Sequence, residues 1–300
     1  MVGSFQHYEK AFVEMLIFQY LYMIRFFSFL LNSTAGLFKK WNGSYAFKLL
    51  CRIKRTNKDN ASNSFLDAAM QEKMYHDGYE ATLYKLGNGP KKILLLHGWK
   101  GYSERWSPLV NIMDLDQFTI HALDAPAHGR SAGNSLNLEI YRQFVAQTIA
   151  GAGAMHAIVA HSLGGLVTAY AFLSDKNLPV DRFIITGAPA GMQAIYDFFK
   201  CMMALKTLVI DNMDDHISSN ITTIPALEIN MDSFFKNVRK PVLVIHDEDD
   251  KICLIEPIKK GMQTSDSIDT LFTKGLGHDL QAMGVYTRTL EFLEADFENK

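Results

Sequence analysis

Short apolar runs, each closed by glycine, proline or a polar turn, recur along the chain from about residue 75 to residue 273. Residues 79–86 alternate as a half-buried strand does, and Gly87-Asn88-Gly89-Pro90 behind them is a strong turn signal. Residues 93–96, 118–123, 157–160, 183–186, 242–246 and, more weakly, 270–273 are short, mostly apolar runs. Runs of that length between chain-breaking residues predict strands buried on both faces. Helix-length stretches separate them, such as 138–149 and 163–173. Strand and helix in alternation make βαβ units, and so a mostly parallel, twisted sheet with helices on both faces. In such a sheet ligands gather at the carboxyl ends of the strands. The polar residues that follow each apolar run are therefore the candidates for chemistry.

The N-terminal part follows a different pattern. Residues 11–31, AFVEMLIFQYLYMIRFFSFLL, have the length of a membrane span but include Glu14, Gln19 and Arg25. A charge near the centre of a span costs about 2.5–3.5 kcal/mol on insertion scales. No short basic region and no small-residue cleavage site marks a secretory signal. Three readings stay open: a weak anchor, a helix in the membrane interface, or an apolar helix packed on the main domain or on a partner. Lys39, Lys40, Arg52, Lys54 and Arg55 follow the run, so a spanning helix would leave the bulk of the chain in the cytoplasm. The polar stretch NKDNASNS, residues 57–64, is a linker.

Composition narrows the function classes. At 48% hydrophobic and 21% charged residues over 300 positions, the chain is globular and long enough for a large core. The 30 Lys+Arg against 32 Asp+Glu leave a net charge of −2, and no basic excess argues for nucleic acid. Cys51, Cys201 and Cys253 are far apart and form no disulfide framework or zinc spacing, so no metal and no cofactor is expected. His76, His121, His156 and His216 fit no ligand spacing either.

The run 157–160 ends in His161-Ser162-Leu163-Gly164-Gly165, where a helix is predicted to begin. A serine on so sharp a strand-to-helix turn has its hydroxyl thrust out above the sheet. The positions two before and two after it must be small, and here they are Ala160 and Gly164. This is the nucleophile-elbow pattern, with alanine at its first position. Taken alone, Ser162 could equally be a helix N-cap.

With that elbow the sequence resembles the α/β-hydrolase family, in its esterase, lipase and serine aminopeptidase branch, over roughly residues 79–295. The resemblance implies a sheet of about eight strands and a small helical lid. Carried over, His97-Gly98-Trp99 supplies one oxyanion-hole donor, the backbone N–H of Trp99, and Leu163 supplies the second. Asp124-Ala125-Pro126-Ala127-His128-Gly129-Arg130-Ser131 is similar to a family loop, with Ala127 in place of a glycine and His128 in a loop-ordering role. After the run 242–246 comes Asp247-Glu248-Asp249-Asp250, in which Asp247 takes a usual glycine position and Asp250 matches the triad acid, with Asp249 as competitor. Gly275-Leu276-Gly277-His278 resembles the turn that carries the triad histidine. The chain order Ser162, Asp250, His278 is the family's own. His97, His161 and His246 have plainer explanations as hydrogen-bonding residues at turns and strand ends.

The family inserts its lid where residues 190–235 lie. Met192, Ile195, Phe198, Phe199, Met202 and Met203 stand there at near-helical spacing. Such a face either packs on the domain or roofs the site, and in the second role Phe198 and Met202, with Trp99, would touch an apolar acyl group. The expected organisation is an N-terminal helical segment and linker (1–60), a first core part (61–189), the lid (190–235) and a second core part (236–300). The expected function is hydrolysis of a carboxylic ester, thioester or amide of a small molecule. A non-catalytic binding module and an acyltransferase with the same triad are the alternatives.

Overall fold

The computed structural model describes residues 22–54, 64–263 and 268–297. Its sheet has eight strands: β1 (Met70–His76), β2 (Tyr79–Leu86), β3 (Lys91–Leu96), β4 (Phe118–Asp124), β5 (Met155–His161), β6 (Val180–Thr186), β7 (Val242–Asp247) and β8 (Ile268–Thr273). In space they run β1-β2-β4-β3-β5-β6-β7-β8. The β1–β2 and β2–β4 pairs are antiparallel and every later pair is parallel.

Alternate residues of the central strands feed two separate cores. Leu94 and Leu96 of β3, Ile158 and Ala160 of β5, and Val242 and Val244 of β7 enter one core. Ile93 and Leu95, Ala157 and Val159, and Leu243 and Ile245 enter the other. The helices Leu138–Ala152, Leu163–Ser174, Met231–Asn237 and Ile255–Met262 supply the first core, and Ser107–Val110 and Met283–Glu294 supply the second. A strand covered on both faces has no solvent side, which is why these runs are continuous in the sequence. Each large aliphatic side chain so buried contributes about 1.5–3 kcal/mol.

The expected fold class is the one observed: a mostly parallel sheet of eight strands with helices on both faces. Each apolar run expected to be a strand is one, though several strands begin earlier than expected; β8 starts at Ile268. Strand β1 was not foreseen. It is an edge strand, largely exposed, and its MQEKMYH sequence has no apolar run to betray it. The helix Leu138–Ala152 starts on Asn137, whose side chain accepts the Ile140 N–H, and stops at Gly153, with φ 84°.

The chain forms two compact units. The larger comprises residues 51–194 and 222–300 and contains the whole sheet; the smaller comprises residues up to 50 together with 195–221. The boundaries divide the segment 190–235, expected to be a single lid, between the two. The smaller unit has its own polar seam. Buried Asn212 donates to the carbonyl of Ala35 (2.9 Å) and to Asn42 Oδ1 (3.2 Å), and buried Asn42 donates to the carbonyl of Leu31 (2.8 Å). These amides satisfy carbonyls at the end of the 22–34 helical stretch, where no intrahelical partner exists. The helix Lys39–Leu50 meets Thr207–Asn220 so closely that a Cβ on Gly43 would lie 2.0 Å from the Asn212 carbonyl oxygen. Among the described residues no helix is long and apolar enough to cross a membrane. Of the apolar run 11–31, residues 11–21 lie outside the described residues and residues 22–31 are helical.

The Gly43 contact is testable. Gly43→Val should lower stability by about 1–3 kcal/mol, as overpacking does. Gly151→Ala, in a helix with no atom within 4 Å of the added methyl, should raise it by about 0.5–1 kcal/mol. Urea unfolding followed by circular dichroism reads both, and equal midpoints for the two variants would contradict the packing described.

Candidate active site

Strand β5 runs into Ser162, and the helix Leu163–Ser174 starts at the next residue. The turn is tight: Ser162 has φ 52° and ψ −121°, a left-handed conformation that costs a side chain about 1–2 kcal/mol. Its own N–H holds the turn to β6, donating to the Thr186 carbonyl at 2.9 Å, and its carbonyl accepts the Gly165 N–H at 2.9 Å. Neighbouring backbone closes in on all sides. A Cβ on Gly98 would lie 2.7 Å from the Ser162 Cβ, and one on Gly164 would lie 2.9 Å from the carbonyl oxygens of Leu96 and His97. Ala160 is fully buried at the position where the pattern has glycine.

His278 and Asp250 meet Ser162 from two other strand ends. His278 Nε2 lies 3.0 Å from Ser162 Oγ, and His278 Nδ1 lies 2.8 Å from Asp250 Oδ2. Asp250 follows β7 and His278 follows β8, so strands adjacent in the sheet bring together residues far apart in sequence. Asp250 is 3% exposed. Burial would raise its pKa, but His278 and the backbone N–H groups of Cys253 and Ile252 reverse that and hold it below the ordinary carboxylate value. The two N–H groups donate to Oδ1 at 2.9 and 2.8 Å, leaving Oδ2 for the imidazole. A carboxylate only accepts, so Nδ1 of His278 carries the proton and Nε2 presents a lone pair to the serine hydroxyl. The competitor Asp249 is exposed and its backbone N–H binds Asp247 Oδ1.

Other imidazoles are struts. Burial pushes His97 down to about 4 and His161 well below its ordinary value, so both are neutral near pH 7. His97 Nδ1 donates to the Gly98 carbonyl (2.8 Å), and its Nε2 accepts the Ala125 N–H (3.0 Å). His128 accepts the Lys100 N–H at Nε2 (3.1 Å) and donates from Nδ1 to the Pro126 carbonyl (2.9 Å). The strap carrying Gly98, Trp99 and Lys100 is thereby tied to the loop after β4. His161 Nε2 donates to the backbone carbonyl of His278 (2.9 Å), and His246 Nε2 to that of Cys253 (2.7 Å). Burial, with the Asp250 charge, pushes the Cys253 thiol up to about 12, so it is no thiolate. Gly187, with φ 56°, passes beneath the histidine turn; a Cβ there would lie 3.3 Å from the His278 carbonyl oxygen.

Leu163 adjoins Ser162 in the chain, whereas Trp99 is far from it in sequence. Leu163 is the first residue of its helix, so its N–H has no partner inside that helix. Trp99 follows Gly98, the residue packed against Ser162, and its indole is 37% exposed. Phe198 and Met202 stand on the helix Met192–Met203, in its part belonging to the smaller unit, and are 61% and 45% exposed. Among the described residues no group of three or more His, Cys, Asp or Glu side chains could hold a metal ion.

Asp247, read from the sequence as a departure at a glycine position, is a further part of the site. It does not take a positive φ. Its Oδ2 accepts the Thr273 hydroxyl (2.8 Å) and the Leu276 N–H (2.9 Å), and its Oδ1 accepts the Asp249 N–H (3.0 Å). One carboxylate thus ties the turn carrying Asp250 to the turn carrying His278. Its place at the end of a buried strand was the only signal available in sequence. His161 is the hydrogen-bonding turn residue the sequence suggests, but nothing in the sequence names its partner, the backbone carbonyl of His278.

Burial raises the Asp247 pKa, while the hydrogen bonds from Thr273, Leu276, Asp249 and Gly277 outweigh it and the net shift is downward. A lowered carboxylate stabilises the fold above its unfolded pKa, about 3.9, and that share is lost as pH falls through the folded value. Asp247→Asn should therefore cost about 1–3 kcal/mol at pH 7, the penalty for a buried donor left without its partner. The gap to the natural chain should close as pH falls below about 4. Denaturant titrations from pH 7 to pH 3 measure it, and a gap that widens in acid would contradict the assignment.

The description "Serine aminopeptidase, S33" matches residues 88–223. Among curated proteins, a "Pimeloyl-[acyl-carrier protein] methyl ester esterase" of Stenotrophomonas maltophilia is 38% identical over 85 residues, covering 28% of this chain and 31% of that protein. The chain spans less than half the length of the curated relatives it matches. Among solved structures, an esterase from Rhodococcus sp. ECU1013 superposes with a TM-score of 0.56 at 17% identity, over 76% of this chain and 99% of that one. A ferulic-acid-bound protein from Butyrivibrio proteoclasticus superposes with a TM-score of 0.58 at 15% identity, over 74% and 96%.

Proposed function

The chain is an α/β-hydrolase in fold, and on that premise we propose that it cleaves a carboxylic ester through an acyl-enzyme on Ser162. The observation that carries this reading is the continuous line of hydrogen bonds from Asp250 through His278 to Ser162, at 2.8 and 3.0 Å. A neutral hydroxyl is a weak nucleophile and needs a base to take its proton as it attacks. His278 Nε2 is that base. Ser162 Oγ bonds to the ester carbonyl carbon, the proton passes to Nε2, and the carbonyl electron pair moves onto oxygen. Asp250 holds the imidazole in the productive tautomer and balances the imidazolium charge.

The oxyanion takes hydrogen bonds from the N–H groups of Trp99 and Leu163. Removing one such fixed donor typically costs about 2.7–4 kcal/mol of barrier. The free first N–H of the helix at Leu163 supports its role, and the close packing of Gly98 on Ser162 supports that of Trp99. Collapse of the intermediate breaks the bond to the alcohol, which leaves with the proton from His278. Water, deprotonated by the same nitrogen, then releases the acid and restores Ser162. The named ester-cleaving relatives agree in reaction class.

Ser162→Ala should lower kcat/KM on an activated p-nitrophenyl ester by about 10⁶-fold, the loss seen when a triad nucleophile is removed. A fluorophosphonate should label the natural chain at Ser162 and leave the variant unlabelled. A natural chain that hydrolyses no ester and takes no label would mean that this fold serves a non-catalytic role here.

A further inference from the structure

The smaller unit presents apolar side chains outward where a globular surface is ordinarily polar. On the helical stretch 22–34, Tyr22, Phe26 and Phe29 stand at i, i+4 and i+7, on one face, with exposures of 68%, 55% and 73%. Leu31 and Ala35 are buried, so the stretch packs inward by another face and this one is left over. The turn that follows continues the surface with Leu37 (78%) and Phe38 (60%), and the next helix adds Trp41 (46%), its ring stacked 5.1 Å from that of Tyr45. Contiguous apolar exposure of this kind marks a binding surface.

Charge selects the occupant. Residues 22–50 hold four basic residues, Arg25, Lys39, Lys40 and Lys48, and no acidic one, in a chain whose net charge is −2. All four are exposed. Lys39 and Lys40 lie between Phe38 and Trp41, so cationic heads and aromatic rings alternate along one short stretch. Aromatic rings with an apolar body and a wet edge, beside lysines in a segment, 22–50, that has no carboxylate of its own, suit the boundary between headgroups and acyl chains. A second copy meeting this one through the same segment would place basic residues on basic residues, which disfavours it.

We propose that residues 22–41 form a docking surface for an anionic lipid bilayer, lying in its interface. Apolar insertion and headgroup attraction act together, and the second is screened by salt. The proposal is independent of the reaction at Ser162.

Co-sedimentation of the full chain with phosphatidylserine-rich vesicles and with pure phosphatidylcholine vesicles tests it. Partition should be about tenfold or more in favour of the anionic vesicles at low salt, and the preference should shrink in high salt. Lys39→Glu with Lys40→Glu should remove the preference. Phe26→Ser, Phe29→Ser and Phe38→Ser together should weaken binding by about tenfold or more, with an unchanged circular dichroism spectrum, since all three rings are exposed. If the lysine pair alone can be prepared folded, its loss of preference suffices as support. Failure of the natural chain to sediment with either vesicle overturns the proposal. So does binding that both variants retain in full, or a dimer in solution that binds no vesicle.

Discussion

The left-handed turn at Ser162 is the constraint around which the rest of the site is arranged. A serine held at φ 52° is costly, and it persists because the surroundings leave it no alternative. Hydrogen bonds from its N–H to β6 and to its carbonyl from the following helix fix the peptide units on either side. Gly98 and Gly164 let the neighbouring backbone approach to distances that no Cβ would permit. Two cores of aliphatic side chains hold β3, β5 and β6 rigidly enough to maintain that crowding. The hydroxyl is thus aimed by the sheet itself and not by a mobile loop.

Around that point, imidazole and carboxylate groups divide the labour by what surrounds them. His97 and His161 lose their charge to burial and become fixed donors and acceptors for backbone. His278, only slightly exposed at its turn, meets both a carboxylate and a hydroxyl. Among four consecutive polar residues, Asp247 and Asp250 point inward and are satisfied by N–H and O–H donors, whereas Glu248 and Asp249 face outward. The same residue type serves as girder, as a link in the hydrogen-bonded line to Ser162 or as solvated surface, and position relative to the strand end decides which.

This explains which parts were legible in the sequence. Strands buried on both faces are continuous apolar runs and could be read directly; β1, a polar edge strand, could not. Ser162 was marked by the small residues its turn demands, and Asp250 and His278 only by the resemblance of the turns after strands β7 and β8 to family motifs. The strut at Asp247 shows in the sequence only as an oddity, because its partners come from the end of β8 and the turn after it, far off in the chain. The division of residues 190–235 between two units was hidden as well. It depends on Asn212 meeting Asn42 and Ala35, contacts between amides and carbonyls that leave no periodic trace.

Gly187 has a wider meaning in this light. Strand β6 stands between the strand that delivers the serine and the one that delivers the acid, and its end must be crossed by the histidine turn. At Gly187 the backbone is bare, and a Cβ there would lie 3.3 Å from the His278 carbonyl oxygen, the same oxygen that takes the His161 hydrogen bond. A side chain at that residue would thus press on the backbone that carries the imidazole, though it would touch neither the imidazole nor the hydroxyl.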